Sequence, residues 1–364
     1  MPSVKRFARL VPGLFATVMV FAGSGCSGSG SPAAPGDGER RGFRMGFSAV
    51  PPRPTEADVL RALELWMGRA DAAILHESVP WAALLAGTPA EEAVRALHLP
   101  LVRLYRSRGL EVVFTIDVAN GLDRASEDQA LVALGRSVTE PDVQDAYRAY
   151  ALAVASVLRP SHLGLAAETN LIRLLAPRPV YDAIVTMTNA AAADLGASGF
   201  QAPRYVSVQV DTAWGRLPAG PFLGIETDLQ DFPFVTELGL SSYPYLAGFA
   251  EPEQVPLDYY ARLEPPRGLP LLVVEGGWTS AAVGALPSSP EGQARWIRRQ
   301  FELVREADAL FVFQLLFADL DLAALGQAGN PQLLPFAAIG LVTSELVAKP
   351  ALAEWDAAFA QPRR

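Results

Sequence analysis

Eight short apolar runs, separated by longer segments of helical periodicity, constrain this chain more than any other feature. They are Phe43 to Ala49, Ala72 to His76, Val112 to Asp117, Leu163 to Glu168, Tyr205 to Val210, Leu238 to Tyr243, Leu271 to Glu275 and Ala309 to Leu315. Runs this apolar read as strands buried on both faces, which suits a chain that is 50% hydrophobic. A repeated strand and helix unit predicts a parallel sheet with right-handed crossovers. Eight such units predict closure into a (β/α)8 TIM barrel, an α/β fold.

Helix-start signals agree with this count. Thr55-Glu-Ala-Asp58 and Thr88-Pro-Ala-Glu91 each place a capping hydroxyl three residues before a carboxylate, and Ser289-Pro-Glu291 opens a helix in the same style. Tyr147 to Leu158 and Val180 to Leu195 supply the crossovers on either side of the fourth strand. Between Val210 and Leu238, Pro218, Pro221 and Pro233 predict a short helix or a loop.

Ahead of the barrel, residues 1–26 read as an export signal: Lys5, Arg6 and Arg9 are followed by an apolar stretch from Leu10 to Ala22, too short to span a bilayer as a helix. The small residues before Cys26 resemble a bacterial lipoprotein signal, which implies lipidation at Cys26, anchorage to a membrane and a place in the cell envelope. Gly23 stands where such signals usually carry leucine, so ordinary signal cleavage is the alternative. Cys26 is the single cysteine, which excludes an internal disulfide and a thiolate metal site. Residues 27–40 are small and without apolar periodicity, as expected of a flexible tether, and residues 41–364 form the barrel domain. The net charge is -9, and loss of the three cations in the signal makes the remainder more acidic still. Nucleic acid is therefore not an expected partner.

In a barrel of this kind the site lies at the C-terminal ends of the strands, so the residues that close each run carry the functional information. Glu168 and Glu275 each end an apolar run, where a carboxylate is costly unless it is paired or used. Around them the strand ends supply His76, Glu77 and Trp81; Asp117 and Asn120; Asn170; Gln209, Asp211 and Trp214; Tyr243 and Tyr245; Trp278; and Gln314, followed by Asp319 and Asp321. Strict alternation puts Gly164, Ala166 and Glu168 on one strand face, and Leu271, Val273 and Glu275 on another, so that both glutamates point inward. Carboxylates beside flat aromatic rings suit a carbohydrate, whose hydroxyls need acceptors and whose C–H faces pack on rings.

Leu240-Ser-Ser-Tyr-Pro-Tyr-Leu246, Val273-Val-Glu-Gly-Gly-Trp-Thr-Ser280 and the terminal stretch from Gly340 to Trp355 resemble the clan A retaining glycoside hydrolases, nearest to the endo-β-1,4-galactanase family. The resemblance implies an acid/base glutamate after the fourth strand, at Glu168, and a nucleophile after the seventh, at Glu275. Tyr243 or Tyr245 would stand for the family's tyrosine beside the nucleophile. Three positions depart from the pattern: Ala167 replaces an asparagine, the arginine usual near the end of the second strand is missing, and Gln314 and Phe317 replace a tryptophan-glutamate pair. The expected mechanism is cleavage of a β-linked polysaccharide or oligosaccharide with retention, if the carboxyl groups lie ~5 to 5.5 Å apart. It asks Glu168 to deliver a proton near neutral pH.

Plainer roles stand beside these. The tyrosines and tryptophans can be packing residues, and Asp117, Asn120, Gln209 and Asp211 can cap helices or turns. His76, His98 and His162 form no convincing zinc triad, and neither a nucleophile elbow nor a phosphate loop is present, so neither metal nor cofactor is expected. Two other functions fit the same features: a glycan-binding surface lipoprotein with an impaired barrel, and a transporter solute-binding lipoprotein, which requires two lobes.

Overall fold

The computed structural model describes residues 40–263 and 268–364. The export signal, Cys26 and all but the last residue of the tether lie outside the described residues. Nine strands run parallel: β1 Arg44–Ser48, β2 Ala72–Ser78, β3 Glu111–Asp117, β4 His162–Gly164, β5 Arg204–Tyr205, β6 Ser207–Gln209, β7 Leu238–Ser242, β8 Leu271–Gly276 and β9 Phe311–Gln314. In the sheet β5 and β6 are the two ends of the order, and only Val206 separates them in sequence. Val206 O accepts from Gly239 N at 3.0 Å, while Ser207 N donates to Ala166 O at 3.0 Å. The segment 204–209 is thus one kinked strand bonded on both sides, and the barrel closes with eight strands.

The interior is filled by Ala72, Ile74, Val113, Tyr205, Leu272, Val274, Phe311 and Phe313, while a larger apolar layer lies between sheet and helices. Each large side chain so buried contributes ~1.5 to 3 kcal/mol. Space inside is set by glycine. A Cβ on Gly164 would sit 2.6 Å from the Tyr205 ring, and one on Gly239 2.9 Å from it. Tyr205 lies between these two strands and donates or accepts one hydrogen bond with Thr115 Oγ1 at 2.6 Å.

Several local expectations are met. Thr55 Oγ1 accepts from Asp58 N at 3.1 Å to open the helix Glu56–Met67, and Ser289 Oγ accepts from Gly292 N at 3.0 Å to open Pro290–Glu306. The stretch from Val210 to Leu238 holds only the short helices Val210–Ala213 and Glu226–Asp231. Other expectations need correction. The helix predicted to be capped by Thr88 runs Ala90–Leu97 with Pro89 at its N-cap, so Thr88 lies one residue outside. His98 sits at the junction of that helix with Leu99–Ser107 rather than within one. The fourth run leaves the strand after Gly164, because Tyr147 Oη donates to Leu165 O at 2.5 Å and takes that carbonyl out of the ladder.

The faces of β8 also differ from simple alternation. Leu272 and Val274 point into the barrel, whereas Leu271 and Val273 pack against helices. A bulge accounts for this: Leu240 pairs with Val273 but Ser241 pairs with Glu275, so Val274 is an extra residue. Glu275 then follows an inward neighbour and still faces the strand-end site.

At the base, the C-terminal helix Pro350–Phe359 seats Trp355 against Phe47, with ring centroids 4.6 Å apart. Trp355 Nε1 donates to Arg69 O at 2.9 Å. No helix among the described residues is long and apolar enough to cross a membrane.

Candidate active site

The mouth of the barrel holds a chain of alternating charges. Glu168 Oε2 accepts from Arg124 Nε at 2.8 Å, and Arg124 Nη1 donates to Asp117 Oδ1 at 2.7 Å. Asp117 Oδ2 lies 3.5 Å from His76 Nε2, and His76 Nδ1 lies 3.3 Å from Glu275 Oε2. Tyr243 Oη donates to Glu275 Oε1 at 2.7 Å, and Ser241 Oγ donates to Glu168 Oε1 at 2.7 Å. Five strand ends therefore bring three carboxylates, two cationic groups and a phenol to one place.

Backbone geometry puts each carboxylate there. Glu168 has φ 49° and ψ 47°, a left-handed conformation that costs a residue with a side chain ~1 to 3 kcal/mol. It is over-determined by its surroundings. Glu168 N donates to Ser207 Oγ at 2.9 Å, and the helix Thr169–Leu175 begins at once behind it. That helix is pinned to buried Asp228 by Thr169 Oγ1 at 3.0 Å and Arg173 Nη2 at 3.1 Å. Glu275 is delivered by the bulge and followed by two glycines packed from both sides. A Cβ on Gly276 would meet Ser242 O at 2.9 Å, and one on Gly277 would meet Gln314 Nε2 at 3.0 Å.

The electrostatics follow from burial and pairing. Burial alone would raise the Asp117 carboxyl, but the Arg124 guanidinium and His76 outweigh it and hold Asp117 well below the usual carboxylate range. At Glu275, burial raises the carboxyl and the charge of Glu168 adds to it. His76, the Tyr243 hydroxyl and Arg124 oppose, and the net direction is upward. The two glutamates have unequal partners: Arg124 and Ser241 both donate to Glu168, which serves a charged carboxylate.

Of the residues expected to meet a ligand, Tyr243 bonds Glu275 directly, and Asp117 is linked to the two glutamates through Arg124 and His76. Asn170, Gln209 and Asp211 are framework. Asn170 Nδ2 donates to Gln209 O at 2.9 Å while its Oδ1 accepts from Gln209 N at 2.8 Å. Asp211 is fully buried and accepts from Tyr259 Oη, from Gln209 Nε2 at 2.7 Å and from Tyr243 N at 3.1 Å. It fixes the backbone that carries Tyr243. Asn120 Oδ1 caps its own turn through Leu122 N at 3.1 Å. Tyr245 donates to Pro335 O at 2.9 Å, and Trp278 stacks on Trp296 at 5.3 Å and donates to Ser288 Oγ at 3.1 Å; both are about 1% exposed. Trp81 is wholly buried, and Gln314 donates to Ile339 O at 2.8 Å. Trp214 is half-buried, with its ring stacked on Tyr259 at 4.9 Å and under Arg262 at 4.8 Å. Asp319 pairs with Lys349 at 2.7 Å and Asp321 with Arg53 at 2.9 Å, both outside the charge chain.

Arg124 is the residue that pattern reading passes over, because it lies in a loop without periodicity. One signal was available: buried carboxylates need a cation, and Arg124 stands seven residues beyond Asp117. An arginine thus does reach the site, from the loop after β3 rather than from β2. Among the described residues no group of acidic or histidine side chains is arranged to hold a metal ion.

No protein-family model matches the chain, and no curated protein matches it. Solved structures share the fold at low identity. An exo-β-1,4-mannosidase, Op5Man5 from Opitutaceae bacterium strain TAV5, aligns with TM-score 0.60 and 15% identity over 88% of this chain and 60% of that one. A GH5_18 protein from Streptomyces cattleya in complex with GlcNAc gives 0.59 and 17%, over 90% and 83%. The Ignisphaera aggregans GH53 catalytic domain gives 0.57 and 14%, over 81% and 88%. This chain spans about half the length of a β-glucuronidase from an uncultured Clostridium sp., which aligns at 0.57 and 13%. These neighbours are clan A (β/α)8 barrels, and what they share with this chain at such identity is the barrel.

Proposed function

We propose that this protein is a glycoside hydrolase that cleaves a β-linked polysaccharide or oligosaccharide with retention. The observation that carries the reading is the convergence of Glu168 and Glu275 in one strand-end cluster, with the Tyr243 hydroxyl on Glu275. Glu275 attacks the anomeric carbon as the glycosidic C–O bond breaks, and Glu168 gives its proton to the departing oxygen. Glu168 then takes a proton from water, whose oxygen attacks the same carbon and releases Glu275. Tyr243 orients the attacking oxygen, and the Arg124 contact holds Glu168 in place.

Hydrolysis of a panel of β-glycans by residues 41–364 tests this, with the product anomer read by NMR. Glu275→Gln should abolish turnover, and Glu168→Gln should lower it by ~10²- to 10⁴-fold. Equal activity in wild type and both variants would sink the assignment, and an inverted product would sink retention.

One observation favours a second reading. Because Arg124 and Ser241 both serve a charged Glu168, the barrel could bind a β-glycan without cleaving it; saturable binding by a wild type that turns nothing over would select this reading. A solute-binding protein needs two lobes, and the described residues form a single closed barrel. On sequence grounds alone we also propose export and a lipid anchor at Cys26, placing the barrel on the outer side of a membrane.

A further inference from the structure

We propose that His76 is a positioning residue whose positive charge, held in place by Asp117, keeps Glu275 ionised for attack; this rests on the glycosidase reading. The geometry suits a cation. His76 Nδ1 faces a Glu275 oxygen at 3.3 Å and Nε2 faces an Asp117 oxygen at 3.5 Å. When both carboxylates are ionised each can only accept, so the form of His76 that suits both contacts is the imidazolium, with hydrogen on both ring nitrogens.

A device is needed at this position. Glu275 is partly buried, and the charge of Glu168 adds to the pressure on it to take up a proton. His76 is the largest influence in the other direction, ahead of the Tyr243 hydroxyl and Arg124. The groups that act on His76 come from every side: Asp117 from β3, Arg124 from the loop after it, Glu275 from β8, with Tyr243 and Glu168 beyond, and Glu77 beside it on β2. Burial would lower His76, but Asp117 and Glu275 outweigh burial and Arg124 and raise it above its ordinary value. The charge is therefore lost only as pH climbs past a value above the ordinary one for histidine. Burial pushes the neighbouring Glu77 carboxyl up to about 7, with the His76 charge opposing.

The test compares wild type, His76→Gln and His76→Arg. If the reading holds, the acidic limb of kcat/KM on a chromogenic β-glycoside has the same midpoint in wild type and in His76→Arg, and moves up by ~1 pH unit or more in His76→Gln, a loss of ~10-fold on that limb. An unmoved limb in His76→Gln overturns the proposal. A second arm needs no substrate. With ring-labelled histidines, the His76 midpoint is expected to fall in Glu275→Gln, and an unchanged midpoint also overturns the proposal. A falling midpoint with no turnover of any β-glycan leaves the ion pair standing and removes the glycosidase reading, and the proposed role in attack falls with it.

Discussion

Replacing Arg124 by methionine removes the cation shared by Asp117 and Glu168. The side chains involved are about 4%, 7% and 9% exposed, so water can do little to compensate. Removing one partner from a buried pair costs ~3 to 5 kcal/mol, and here a single substitution takes the guanidinium from two carboxylates, leaving Asp117 with His76 and Glu168 with Ser241. The loss carries a sign in pH. Asp117 is held below its unfolded value, so its pairing stabilises the fold fully above the unfolded carboxylate range and ceases to do so as pH falls through the depressed folded value. At pH 7 the variant should therefore show the whole deficit by urea denaturation. At pH 4 to 5 the two carboxyls in the variant take up protons, and the deficit should narrow. The same experiment with Asp117→Asn added to Arg124→Met should recover part of the loss. A deficit below ~1 kcal/mol at pH 7, or one of equal size at both pH values, would refute the claim that Arg124 is the counter-charge of the site.

Tyr243→Phe deletes one hydrogen bond to a partly buried carboxylate, worth ~1.5 to 3 kcal/mol. It should lower kcat/KM by ~10- to 150-fold with little change in urea midpoint, and unchanged kinetics would remove Tyr243 from the mechanism. Gly164→Ala drives a Cβ into the Tyr205 ring and should cost ~1 to 3 kcal/mol of stability, a cost that should shrink when Tyr205→Leu is added. A harmless Gly164→Ala would mean the interior is looser than described. Cys26→Ala in the full chain should move the protein from the membrane fraction to the soluble exported fraction, and continued membrane association would dismiss the lipid anchor.

The barrel was legible because its signal is repetitive: eight apolar runs and several caps each point to the same topology, so an error such as Thr88 does not propagate. The two glutamates were legible because a carboxylate closing a buried run is anomalous. Their orientation was not. The inward turn of Glu275 depends on one inserted residue in β8, and that of Glu168 on a left-handed backbone; neither leaves a trace in alternation. Polar residues at strand ends were also over-read. Asn170, Gln209 and Asp211 share the types and positions of ligand-binding residues, but their hydrogen bonds go to backbone, to one another and to the Tyr259 hydroxyl. Side-chain type states what a residue can bond to, whereas partner choice is settled in three dimensions. Arg124 shows the converse, since its position in an aperiodic loop hides a side chain that joins two strands' carboxylates.

The extra residue at Val274 makes the reactive position separable from its support. Upstream of it, β8 keeps the ordinary bookkeeping of a barrel stave, with one row of side chains for the interior and one for the helical coat. Downstream, the stave has been rotated by a single step without disturbing either row. Glu275 therefore keeps its place opposite Ser241 whatever the side chain at 274, and the residue that fills the interior just beneath it can vary without moving it.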